Sequence, residues 1–106
     1  MRITVLTVPG CPHTALVRER LADALAGRTA RVELVEVDDE REAARLGMSG
    51  SPTVLIDGVD PFAVPGAPAA VSCRLYRTPD GRAEGAPGAE DLRRAVESAW
   101  ARETAG

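Results

Sequence analysis

Apolar positions along this chain repeat with two periods, and the switches between them outline its elements. Ile3, Val5, Leu6 and Val8 form a short run rich in β-branched side chains, the pattern of a buried strand. Pro9-Gly10 breaks the run and turns the chain. Val17, Leu21, Ala24 and Leu25 then recur at helical spacing, opposite Arg18, Glu19, Arg20 and Asp23, which predicts a helix over 12–26 stopped by Gly27. Positions 31–37 alternate charged and apolar residues, a second strand with Val32 and Leu34 inward and Val35 and Val37 as further candidates. Asp39 and Glu42 stand at capping-box spacing and open a short helix over 40–46, which ends at Gly47.

The second half is punctuated more heavily. Gly50-Ser51-Pro52 precedes Thr53-Val54-Leu55-Ile56, a third strand, and Asp57-Gly58 closes it with a hairpin turn. Between 59 and 70 fall Pro61, Pro65, Gly66 and Pro68, with Phe62 the one large apolar anchor; this predicts a loop covering one sheet edge. Residues 71–77 alternate again as a fourth strand, and Thr78-Pro79-Asp80-Gly81 is a turn. The last helix is predicted over 89–102, with Leu92, Ala95, Val96, Ala99 and Trp100 as its apolar stripe. The order β-α-β-α-β-β-α predicts an α/β domain spanning 1–106, a four-stranded mixed sheet with helices on both faces.

Composition narrows the function classes. The net charge is −3 with no basic patch, so nucleic acid is not an expected partner. No apolar run reaches membrane-spanning length, and Met1 leads straight into the first strand without a signal-like segment; a cytoplasmic protein with no membrane partner is the expectation. All 13 basic residues are Arg, which reads as the codon usage of a GC-rich genome. In that compartment the two cysteines, Cys11 and Cys73, read as reactive or buried thiols, not as a structural disulfide.

Chemistry concentrates at Cys11-Pro12-His13-Thr14. With Pro12 at the first helical position, Cys11 would sit at the tip of the helix, where unpaired N–H groups and the helix dipole favour the thiolate. His13, when protonated, would add positive charge beside it. Threonine cannot resolve a mixed disulfide, so Thr14 would only donate a hydrogen bond to the sulfur, and the site reads as a monothiol. Cys73 shares its strand face with Val71 and Leu75, which predicts a buried, inert thiol. A hairpin from the third strand would carry it to the end of the sheet far from Cys11. Two distant cysteines and one histidine have no recognised zinc spacing, so no metal site is expected. Glu36, Asp38, Asp39 and Glu40 read as a solvated strand end and helix cap. No phosphate-binding glycine loop occurs.

The Cys-Pro-His-Thr motif after the first strand, Ser51-Pro52-Thr53 before the third, and the element order together resemble the thioredoxin-like superfamily over essentially the whole chain. With Asp57-Gly58 and Ser72-Cys73-Arg74-Leu75-Tyr76, they are similar to a small, little-characterised bacterial family with selenocysteine-containing members, some linked to organomercurial lyases. The resemblance implies that Pro52 is cis and packs against Cys11, and that Pro12, Ser51 and Thr53 meet the substrate. It also implies that Cys11 is the nucleophile in thiol–disulfide exchange. The partner would be a protein disulfide or a low-molecular-weight thiol such as glutathione, docked along the backbone beside Pro52, with no other cofactor. Cys73 stands as a candidate second thiol. The alternatives are a thiolate binder of soft metals or organomercurials, and a non-catalytic interaction module on the same fold.

Overall fold

A computed structural model describes residues 1–105. Strand β1 (Arg2–Thr7) is the centre of the main sheet. It pairs parallel with β2 (Arg31–Glu36), Ile3 opposite Val32 and Val5 opposite Leu34, after a crossover through helix α1 (Thr14–Leu25). On its other edge β1 pairs antiparallel with β4 (Thr53–Ile56), Val5 opposite Val54. Alternation along β1 divides the core in two. Ile3 and Val5 join Val54 and Ile56 under Val17, Leu21 and Ala24 of α1 and Leu92, Val96 and Ala99 of α3 (Ala89–Ala105). Leu6, on the opposite face, packs with Val37, Met48 and Ala43 of helix α2 (Glu40–Leu46). Helices therefore cover both faces, α1 and α3 on one and α2 on the other. No helix among the described residues is long and apolar enough to cross a membrane.

The caps follow local chemistry. The Asp39 side chain accepts the Glu42 N–H at 2.8 Å, and Gly47 ends α2 in the left-handed region with its N–H on Ala43 O. Helix α1 differs from its expected bounds. Its first helical hydrogen bond runs from Val17 N–H to His13 O, while Thr14 N–H reaches back to Cys11 O at 3.5 Å. Pro12 and His13 thus form a turn ahead of the helix, and Pro12 is not its first residue. At the other end Ala26 takes the left-handed cap and Gly27 follows it.

Strand β2 also departs from expectation. Val32 and Leu34 are 42% and 40% exposed, because β2 is the sheet's edge and the helices over this face centre on β1 and β4. Val37 is buried and Val35 half-buried, as anticipated.

The largest difference follows Ile56. Asp57 and Gly58 make the anticipated two-residue turn, with φ of 50° and 83°, and Ile56 and Val59 exchange both backbone hydrogen bonds. The hairpin goes no further. Asp60 Oδ1 accepts the Phe62 N–H, Asp60 O accepts that of Ala63, and Pro61 has no N–H to offer a ladder. The chain leaves the sheet and returns as β5 (Ala70–Cys73), parallel to β3 (Ser49–Ser51), a short strand ahead of Pro52 absent from the sequence reading. The expected fourth strand is therefore broken: β5 ends at Cys73, and β6 (Tyr76–Arg77) pairs with β7 (Ala83–Glu84) across the 78–82 turn. A three-stranded sheet of order β2-β1-β4 and two two-stranded sheets replace the four-stranded one.

Candidate thiol site

Cys11 lies between β1 and α1 in two consecutive turns. The first closes Val8-Pro9-Gly10-Cys11, with Cys11 N–H on Val8 O at 3.1 Å; the second closes on Thr14. The thiol is half-buried and free. It precedes the helix by three residues, with His13 at the N-cap, and so does not sit at the helix tip as expected from the sequence. Pro12 is exposed; His13 and Thr14 are half-buried. The His13 ring lies against the backbone at Gly85, so close that a Cβ there would fall 2.3 Å from Nε2. Arg20, one helical face along, donates to Ala86 O, Pro87 O and the Glu84 carboxylate. Together they pin the 84–87 connection onto α1, which gives His13 a packing role.

Ser51-Pro52-Thr53 runs beside this turn. The Ser51–Pro52 peptide is cis. Ser51 is buried, and its Oγ accepts the Val8 N–H at 3.0 Å, so the segment that carries Cys11 and the segment ahead of Pro52 share a direct hydrogen bond. Thr53 is wholly buried; its hydroxyl donates to Gly50 O at 2.6 Å and accepts from Arg74. That hydroxyl is spent inside the protein, so Thr53 shapes the site without offering a group to a substrate. The carbonyls beside Pro52 are also occupied. Ser51 O accepts Arg74 N–H at 3.0 Å, and Pro52 O accepts the Tyr76 hydroxyl. A partner docking along this backbone, as anticipated from the sequence, meets two acceptors that each already hold one donor from the chain itself.

The residues that supply those donors form a cluster the sequence reading did not single out. Arg74 is 8% exposed and Asp60 11%, and their side chains meet at 2.7 Å. The same guanidinium donates to Ser49 Oγ, Thr53 Oγ1 and Phe62 O, and it lies 4.5 Å from the centre of the Tyr76 ring. Phe62 meets Tyr76 edge-on. Gly50 makes room for this arrangement, since a Cβ there would fall 2.6 Å from Arg74 Cβ. Burial pushes the Tyr76 phenol well above its ordinary range, the Arg74 charge opposing, so the hydroxyl remains a donor. The available signal was parity: Arg74 and Tyr76 share one strand face. An inward arginine reads as an error until its carboxylate, 14 residues earlier, is known.

The same parity overturns the expectation for Cys73. Arg74 and Tyr76 turn inward, so Cys73 and Leu75 face solvent, Leu75 at 69% exposure. Cys73 is also not at the far end of the sheet. With β5 parallel to β3, it is the register partner of Ser51. A cavity of about 470 Å³ begins at Arg74 and is bounded by Phe62, Val64, Leu75, Arg77 and Asp91; neither cysteine lines it.

No protein-family model matches this chain, and neither does a curated protein or a solved structure.

Proposed function

We propose that this chain is a thioredoxin-like protein that carries out thiol–disulfide exchange, with Cys11 as the nucleophile. The observation that carries the reading is the hydrogen bond from Val8 N–H to Ser51 Oγ, which fastens the Cys11 turn to the segment ahead of Pro52. The thiol is half-buried, free and held on a double turn just after the central strand. Such a placement suits in-line attack on a disulfide presented from solvent. The parallel β1-α1-β2 unit and the antiparallel strand after Pro52 are compatible with the thioredoxin order. The departure is β5, which lies along β3 where the fold would add a hairpin strand to β4. The Ser51 and Pro52 carbonyls each already accept a hydrogen bond from the chain, while Pro9, Gly10 and Pro12 are exposed beside Cys11, so the substrate approaches from that side.

The test is reduction of a small activated disulfide, comparing the native chain with Cys11→Ser and following the released thiol. Cys11→Ser is expected to bring the rate down to that of free thiol of equal exposure. A Cys11→Ser variant that turns over as fast as the native chain removes Cys11 from the nucleophile's role.

A further inference from the structure

We infer that Cys73 is the resolving thiol for Cys11, so that the pair works as a dithiol although the fourth position of the motif is Thr14. This rests on the reading of Cys11 as the nucleophile. Ser51 links the two segments that carry the cysteines, through Val8 to the Cys11 turn and through strand pairing to Cys73. On one side its Oγ holds Val8 N–H at 3.0 Å, and Val8 O in turn holds Cys11 N–H at 3.1 Å. On the other side Ser51 is in register with Cys73, and Arg74 N–H closes on Ser51 O at 3.0 Å. Neighbouring strands lie about 4.8 Å apart, so Cys73 is one strand spacing from the residue to which the Cys11 turn is tied. Both thiols are free, Cys73 is exposed, and the chain has no third cysteine. A disulfide requires Cα atoms about 4.4–6.8 Å apart. The Cys11 turn and the end of β5 must therefore close toward each other across Ser51. Among the described residues β5 has one ladder neighbour, β3, its register shifts between the Ser49 and Ser51 pairs, and the exposed Cys73 is the last residue before the Arg74 anchor.

The chemistry balances as follows. The Cys11 thiolate attacks one sulfur of a substrate disulfide, forming a mixed disulfide and expelling the first substrate thiolate, which takes up a proton. The Cys73 thiolate then attacks Cys11 Sγ, expels the second substrate thiolate and leaves a Cys11–Cys73 disulfide. The substrate gains two electrons and two protons, and the protein loses them. Low-molecular-weight thiols in excess reduce the internal disulfide and reset the site.

The experiment treats the native chain, Cys73→Ser, Cys73→Ala and Cys11→Ser with a small activated disulfide, quenches with acid over time and identifies each adduct by peptide mass spectrometry. The native chain is expected to pass through a Cys11 adduct to a Cys11–Cys73 cross-linked peptide, while both Cys73 variants stall as the Cys11 adduct. With an internal thiol at an effective concentration of about 1 mM and about 10 μM free thiol outside, the adduct should persist roughly 100-fold longer in the variants. A native chain that stalls on Cys11 as long as Cys73→Ser does overturns this inference and leaves Cys11 as a monothiol nucleophile. A cross-link formed between two chains overturns it as well. Modification of Cys11 no faster than Cys73 sinks the underlying reading instead.

Discussion

Arg74→Met tests whether the interior charge pair holds the 59–69 segment to the fold. The substitution keeps an unbranched apolar stem while removing the guanidinium. That deletes the 2.7 Å contact with Asp60 and the donors to Ser49 Oγ, Thr53 Oγ1 and Phe62 O. The Asp60 carboxylate, 11% exposed, then lacks its counter-charge and retains only the Phe62 N–H as a donor. Breaking a buried pair by removing one member costs about 3–5 kcal/mol, chiefly because of the charge left behind. Against a total stability of about 5–15 kcal/mol for a domain of this size, that is a large share. In urea, with a slope of about 2 kcal/mol per M, the midpoint should fall by about 2 M. The double variant Asp60→Asn/Arg74→Met removes both charges, so its cost should be well below the sum of the single costs. Urea titrations followed by circular dichroism, with all four chains at one pH, supply the cycle. Additive single costs, or a midpoint shift in Arg74→Met under about 0.5 M, would falsify the account of Arg74 as the clamp on this segment.

Two other expectations follow from contacts near the candidate site. Gly85→Ala drives a methyl into the His13 ring, where 2.3 Å separates the added carbon from Nε2, and should cost about 1–3 kcal/mol as overpacking; adding His13→Ala should return most of it in the same urea assay, and no recovery would mean that the clash lies elsewhere. Tyr76→Phe removes the hydroxyl on Pro52 O and should cost about 1 kcal/mol. Because burial raises the folded phenol's pKa, native stability from this group is intact below the ordinary tyrosine value of about 10 and declines as pH rises past it. Tyr76 is the single tyrosine, so phenolate absorbance reports on it alone; free titration near 10 in the folded protein contradicts its burial.

What the sequence determined by itself is local. The run at β1, the spacing of Val17, Leu21 and Ala24, the Asp39 cap, the Asp57-Gly58 turn and the stripe of α3 each depend on neighbours within a turn or two, and the structure reproduces them. The position of Cys11 between strand and helix was legible for the same reason. Its relation to the helix was not, because a Pro12 turn and a Pro12 helix start have the same sequence and differ only in which carbonyl Thr14 and its successors reach. Only tertiary structure decided the second half. Pro61 and the Asp60 turn end the hairpin after one pair, so the next strand had to find another edge and took β3. An alternating strand buries whichever parity its surroundings can satisfy, and burial of the Arg74 side depends on Asp60, far away in sequence. That choice turned Cys73 outward, and parallel pairing brought it beside Ser51. Alternation specifies that two faces exist; the partner of a buried charge determines which one is inside.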